Sequence, residues 1–526
     1  MTSEPKRFPR ACVASPHYLA SAAGLAVLAD GGNALDAAIA TNLTLGVVAP
    51  YMCGYGGDLF AIISNNGKLH AYNGSGRSSA RASLEAARDA IGSGGTPEPP
   101  GGSDAMPQRG PHSVTVPGAV EAWFTLLDRY GSRPFAELAQ TPLRYAREGF
   151  PLTTKATNYI SAPREAFRDD WGAYWQEIYG GVEGRLVQTE LARTIETLGA
   201  DGPDSYYRGS IAADVAATLQ RFGALITTDD LAMHHGDWVD PISTTYRDAT
   251  IYGFPPNSQG VAALEALNII EDLDLGEGES ARRHHVLIEA MKCALADRDA
   301  YVTDPEHMSL NATELASKEW AARRRAEISD HASRPLAGRA AVGGTIYLCA
   351  ADENGMLVSL IQSNYDDFGS GVSVPGWGIN LQNRGAFFSL DPSHANVIAP
   401  SKRTLHTLMP AIAFRRDDPW LVFGTRGGDG QAQTHLQVLN RVIDDGANIQ
   451  TAIDAPRWVV SPSDWSVTLE ARFEDNVVSG LEQRGHRVRT LGSYDTGMGQ
   501  AHAIEVIDGG YAAATDPRAE GAALGL

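Results

Sequence analysis

The sequence predicts an α+β fold with strands held between helical layers. Three observations carry that reading. Helical apolar spacing dominates the first half, an Asn-Gly hairpin signal interrupts it near residue 66, and short strand patterns take over from Thr345 onward.

Residues 19–28 and 34–48 read as two helices parted by the turn Asp30-Gly31-Gly32-Asn33, the second alanine-rich and buried. After Gly54-Tyr55-Gly56-Gly57, residues 59–64 and 69–72 read as strands around Asn65-Asn66-Gly67. Residues 91–112 are dense in Gly and Pro and are expected to form an exposed loop within a domain rather than a boundary between domains. Spacing from 119 to 198 and from 210 to 222 is helical, 250–254 is strand-like, and the turn 255–260 leads into helices at 261–273 and 283–301. Residues 317–344 start as helix, turn polar and arginine-rich, and are expected to reach Gly344 as an exposed, flexible strand. Beyond it, strands are expected at 345–350, 357–362, 411–414 and 420–423, with a helix at 433–445. No repeat of solenoid period is visible.

Composition narrows the functional classes. A chain of 526 residues with 43% hydrophobic residues is ample for a globular core. The net charge of −20 argues against non-specific binding to nucleic acid or anionic membranes, while leaving room for a local basic anion site. Cys12, Cys53, Cys293 and Cys349 lack metal-type spacing and suggest no disulfide framework. The first residues hold no apolar core of signal-peptide length, so a cytoplasmic location is expected. No apolar run reaches the ~20 residues of a membrane span.

Gly343-Gly344-Thr345 is the most informative tripeptide. A threonine hydroxyl needs a base beside it, and an N-terminal threonine carries one in its own α-amine, with a pKa of roughly 7.7–8.0. Releasing that amine requires a cut between Gly344 and Thr345. The hydroxyl can begin the cut by attacking the preceding carbonyl, which a glycine leaves open to close approach. A Gly-Gly turn leading into a strand is the plain alternative.

The wider sequence resembles the γ-glutamyltransferase (glutathione hydrolase) family of N-terminal-nucleophile hydrolases over nearly its whole length. The marks are VASPHYLASAAGLAVLADGGNALDAAIATNLTLGVVAP near the start, GYGGDLF, HSVTVPGAVEAW, PPNSQG, ALADRDAY, the GGT at Thr345, FGSGVSVPGWGINLQN and LVFGTRGGDG. The resemblance implies a four-layer αββα sandwich and self-cleavage into a large subunit, 1–344, and a small subunit, 345–526, that together form one domain. It also implies an acyl-enzyme mechanism without metal or organic cofactor, and it admits a dimer of heterodimers. It places the nucleophile at Thr345, an oxyanion hole at Gly427 and Gly428, and a hydroxyl near the new amine at Ser363. It puts Arg77 at the substrate carboxylate, with Tyr365, His406 and Thr407 as further substrate-binding positions.

Two departures matter. Gln382-Asn383-Arg384-Gly385-Ala386-Phe387-Phe388 carries no acid where transpeptidases of the family bind the substrate ammonium, and His406-Thr407 replaces their paired serines. An unpaired buried ammonium is costly, so the acyl group expected here has a carboxylate and no amine. The LQNRG form resembles the family's amidohydrolase and acylase branch, which includes oxamate amidohydrolase and glutaryl-cephalosporin acylases. Competing expectations are a γ-glutamyl hydrolase or transferase, an unprocessed non-catalytic scaffold, and a metal hydrolase built on His284, His285 and Glu289. The last is disfavoured because adjacent histidines diverge on a helix.

Overall fold

Strand alternation sets the layers. In the strand Gly344–Ala351 the side chains of Ile346, Leu348 and Ala350 join one apolar cluster, and those of Tyr347, Cys349 and Ala351 join another. A fully buried strand of this kind separates two cores. The first core lies against helices, with Leu35, Ile39 and Leu43 of the helix Ala34–Val48 opposite the strand. The second core is shared with another sheet, through Ile412, Val422 and Ile504.

The computed structural model describes residues 3–93, 105–162, 167, 170–276, 278–335 and 343–526. Two seven-stranded antiparallel sheets stack face to face. One runs Ala522–Gly525, Cys12–Ser15, Gly344–Ala351, Leu357–Tyr365, Asp58–Asn65, Lys68–Gly74 and Asp237–Val239 in spatial order. The other runs Lys6–Phe8, Gly510–Thr515, Gln500–Ile507, Asp418–Arg426, Ala411–Arg415, Ala249–Gly253 and Ile242–Tyr246. Helices Tyr18–Ala29 and Ala34–Val48 cover the first sheet, and Gly260–Ile270, Ala281–Tyr301 and Gly430–Ile443 cover the second. The expected αββα sandwich is therefore present. Strands from both sides of Gly344 interleave in both sheets, so residues 1–344 and 345–526 share one core.

Local expectations hold at the elements with strong signals. The second helix begins at an Asn33–Asp36 capping box, in which each side chain accepts from the other's backbone N–H. The hairpin turns through Asn66 at φ 51° and Gly67 at φ 73°, the left-handed pair that an Asn-Gly turn demands. The exposed loop expected at 91–112 is not found in its described parts: residues 91–93 close the helix Leu84–Ser93, and Met106, Pro107, Gly110 and Pro111 are buried because Met106 packs into an apolar cluster with Phe388 and Leu390, while 94–104 lie outside the described residues.

A second expectation fails. The chain reaches Thr345 buried rather than exposed, with Thr345 1% accessible and Gly343 and Gly344 also inside. Upstream, residues 329–335 are tied down. Ser333 N–H donates to Glu289, Lys292 Nζ to Ser333 O, and Trp465 Nε1 to Pro335 O. Residues 336–342 lie outside the described set. The cause of the burial is the sheet itself, because Gly344 already pairs with Tyr365 in the central strands.

Candidate active site

Register places three polar side chains in a row. Thr345 pairs with Ser363 on the next strand, and Ser363 pairs with Asp58 on the one beyond. All three positions lie on the face that carries Tyr347, Ile361 and Phe60, so the row looks into the gap between the sheets. The row is 0–1% exposed.

Hydrogen counting orients the first two groups. Ser363 Oγ lies 2.7 Å from the Gly344 carbonyl oxygen and 3.0 Å from Thr345 Oγ1. A carbonyl can only accept, so the single Ser363 hydrogen goes to Gly344 O, and Thr345 is then the donor to Ser363. Tyr365 N–H, at 2.7 Å, also donates to Ser363 Oγ and fixes the rotamer. Tyr365 itself turns through φ 75°, a conformation rare outside glycine, and the chain bends there as the strand ends. The result is a hydroxyl whose proton points along a chain toward the carbonyl of the preceding residue. The chemistry open to such a trio is attack on that carbonyl.

Asp58 is the hub behind the row. Its Oδ1 accepts from Gly76 N–H and Gly118 N–H, and its Oδ2 faces His406 Nε2 at 3.2 Å. Burial pushes its carboxyl up to about 7, against the pull of Arg384 and the two N–H groups. Burial, then Arg384 and Arg403, hold His406 well below its ordinary value and hence neutral. Both ring nitrogens are occupied, since Nδ1 accepts from Leu408 N–H while Nε2 meets Asp58. His406 therefore fixes Asp58 rather than presenting a free donor to a ligand, which alters its expected role.

Gly427 and Gly428 stand across the gap, at the end of the strand Asp418–Arg426. Their φ values of 134° and 55° need glycine and open a tight turn into the helix Gly430–Ile443. Gln259 Nε2 holds the Gly428 carbonyl at 2.9 Å and the Thr407 carbonyl at 2.8 Å. Arg298, fully buried, in turn holds Gln259 Oε1 at 2.8 Å and pairs with Asp429 and Asp299. The turn is thus braced from below by charge-assisted bonds.

Arg77 is anchored to the same hub through Gly76, but its charge is engaged. Its Nη2 meets Asp237 at 3.0 Å and its Nη1 donates to His235 O. Arg403 converges on the same Asp237 carboxylate. Arg77, Arg403, His234, Asp237 and Asp304 line a cavity of about 780 Å³ that is open on one side. Thr407 Oγ1 accepts from Arg384 at 3.2 Å, and the Arg384 guanidinium lies 4.4 Å from the Tyr365 ring centre.

The structure brings Thr345, Gly344, Ser363 and Tyr365 together directly, and joins His406, Thr407, Gly428 and Arg77 to them through Asp58, Arg384 and Gln259. Those three linking residues were not singled out from the sequence. Asp58 had a signal, because the acid sits in period with Phe60 and Ile62 on the inner face of its strand. The His284, His285 and Glu289 set is not assembled. His284 turns to Glu279 at 2.7 Å and Trp458, whereas His285 bonds His486 at 2.8 Å. His285, Glu289 and His486 do converge, but Lys292 Nζ already sits 2.8 Å from Glu289 Oε1.

Comparisons with known proteins match the chain along almost its whole length. The model of the family described as gamma-glutamyltranspeptidase matches residues 20–526. The chain is 39% identical to the glutathione hydrolase-like YwrD proenzyme of Bacillus subtilis, over 98% of both chains. It is 36% identical to the oxamate amidohydrolase proenzyme of Klebsiella pneumoniae, over 97% of both. The crystal structure of a cephalosporin acylase from Bacillus halodurans superposes with a TM-score of 0.93 at 37% identity, covering 100% of this chain and 97% of that one. With its two facing sheets, its buried Thr345–Ser363 pair and these matches along its whole length, the chain belongs to the gamma-glutamyltranspeptidase family and is an enzyme of the hydrolase or transferase kind acting on carbon–nitrogen bonds.

Proposed function

We propose that the protein is a self-processing threonine amidohydrolase whose substrate is an amide of a short, carboxylate-bearing acyl group. The observation that carries the reading is the bonded chain from Thr345 Oγ1 to Ser363 Oγ to Gly344 O.

In the first reaction Thr345 Oγ attacks the Gly344 carbonyl carbon, and its proton, relayed through Ser363, ends on the Thr345 nitrogen. The carbon–nitrogen bond to Thr345 breaks, leaving Gly344 as an ester on the threonine oxygen with a free α-amine. Water then hydrolyses the ester. The 526 residues become chains of 344 and 182. In turnover the freed amine takes the hydroxyl proton, the oxygen attacks the substrate amide, and the amine protonates the leaving nitrogen. Backbone N–H groups of the Gly427-Gly428 turn stabilise the oxyanion, a contribution for which one donor is typically worth ~10²–10³ in rate. Water releases the acid.

The substrate class follows from charge. The segment 382–388 offers no carboxylate for a substrate ammonium and instead buries the cation of Arg384. That favours acyl groups such as the one named for the Klebsiella relative over γ-glutamyl groups, whose ammonium would meet a like charge. The test is turnover by the purified protein of an amide panel holding oxamate, glutaryl and γ-glutamyl compounds. Oxamate or glutaryl amides should be the better substrates. Preferred turnover of γ-glutamyl-p-nitroanilide would overturn the substrate class, and no turnover of any amide would favour an unprocessed scaffold.

A further inference from the structure

Arg384 is an arginine only 1% exposed, and among the described residues no carboxylate neutralises its charge by direct contact. Among the described residues its side chain makes one hydrogen bond, Nη1 to Thr407 Oγ1 at 3.2 Å, and its Nε has no partner. Asp58 acts on it electrostatically, yet Asp58 takes its own hydrogen bonds from Gly76, Gly118 and His406. Besides the neutral Thr407 hydroxyl the guanidinium meets the rings of Tyr365 and Phe387, 4.4 and 5.6 Å to their centres, which leaves a cation with an unfilled Nε and no direct counter-charge among the described residues. Buried charges are ordinarily paired, so such a group marks a place where an anion is missing.

Its position says which anion. The guanidinium lies 4.4 Å from the centre of the Tyr365 ring, and Tyr365 pairs across the sheet with Gly344, the residue whose carbonyl Thr345 faces. A side chain added at Gly343 would stand 2.5 Å from Tyr365 O, and one added at Gly344 would stand 2.7 Å from Tyr51 O. Gly343 and Gly344 therefore fill the room beside Tyr365, and cleavage at Thr345 frees their end to leave it. A substrate acyl group must put its carbonyl where that of Gly344 is, so its far end enters the space that the Gly-Gly end occupies.

Resting on the amidohydrolase reading above, we propose that Arg384, supported by Thr407 Oγ1, is the carboxylate-binding residue of the acyl subsite. Arg77 then keeps its charge on Asp237 at the wall of the outer cavity, where Arg403 shares it. A fork of guanidinium donors suits a planar carboxylate, and losing it should raise KM for acyl groups that carry one and leave neutral ones unaffected.

The experiment uses the processed protein with glutaryl-p-nitroanilide and its neutral valeryl counterpart, in wild type, Arg384→Gln, Arg384→Lys and Arg77→Gln. Processing is checked by mass and folding by thermal melting. Expected for Arg384→Gln is a rise in KM of about 10²-fold for the glutaryl amide, kcat within a few-fold, and no rise for the valeryl amide, with partial recovery in Arg384→Lys. A larger glutaryl KM effect from Arg77→Gln, or equal effects of Arg384→Gln on both amides, would overturn the proposal. Binding of free glutarate, measured by calorimetry on wild type and Arg384→Gln, separates this claim from the amidase reading. Binding to wild type that is lost in Arg384→Gln supports the subsite even if no amide is turned over. Binding that survives in Arg384→Gln, or glutarate bound by neither protein, overturns it.

Discussion

Two buried polar clusters in this molecule look alike by composition and differ in what they leave unfilled. At one end of the central sheet, Thr345, Ser363 and Asp58 form a row beside Arg384. On the helix Ala281–Tyr301, His285, Glu289 and Lys292 meet His486. In the helix cluster the charges close on themselves. Lys292 pairs with Glu289, His285 bridges His486 and Ser329 O, and Glu289 also accepts from Ser333 N–H. Its effect is to hold residues 329–333 against the helix layer. In the sheet cluster a hydroxyl is bonded toward a carbonyl, burial lifts a carboxyl to about 7, and among the described residues a cation has no carboxylate in direct contact. The helix cluster too leaves an atom unfilled, His486 Nδ1, but on a ring that burial keeps neutral; charge without a direct counter-charge, rather than the density of titratable groups, separates a site built to react from one built to hold.

The contrast is broken most severely at Thr345. Thr345→Ala should yield an uncut chain with no amidase activity, read by gel and by turnover, and fragments in that variant would remove the row from the chemistry. Ser363→Ala comes next. It takes away the donor on Gly344 O and should slow processing by ~10²–10³-fold in a time course of fragment appearance, whereas Ser363→Thr, which keeps the hydroxyl, should recover much of the rate.

Asp58→Asn sharpens the comparison through pH. A folded carboxyl raised to about 7 from an ordinary 3.8 holds its proton between those values while the unfolded chain has lost it. Stability must therefore fall as pH rises through that window and level off above it. Asp58→Asn should flatten the slope between pH 4 and 7, by a few kcal/mol in total at ~1.4 kcal/mol per unit. An unchanged slope would place the proton elsewhere. The smallest effect on activity belongs to the helix cluster. Lys292→Met leaves Glu289 buried without its ammonium and should cost about 3–5 kcal/mol in denaturant unfolding. The kcat of the processed enzyme should move by less than about threefold, because among the described residues no contact joins that cluster to the nucleophile row.

The sequence made much of this legible, but unevenly. The helix Ala34–Val48 and the hairpin at Asn66-Gly67 stand where their caps and turn residues put them, because those signals are local. The edge strands Lys6–Phe8 and Ala522–Gly525 had no such signal. They are short, and their partners Tyr511–Ala513 and Cys12–Ser15 lie about as far away in sequence as the chain allows. Thr345, Ser363 and the Gly427-Gly428 turn were found by motif. That the first two meet across adjacent strands is a matter of register, which a pattern of residues alone leaves open. Arg384 stood in plain view within LQNRG. Its importance comes from burial and from a missing partner, and neither is written in the local sequence. His406 shows the converse, a motif position whose ring is already committed to Asp58 and Leu408.

The most direct test of the central claim is intact-mass measurement of the freshly purified wild-type protein followed over time, with N-terminal sequencing of the smaller product. The account predicts conversion of the 56.1 kDa chain into two fragments, the smaller beginning at Thr345. A chain that stays whole under conditions where it is folded, or a cut at any other bond, would contradict it.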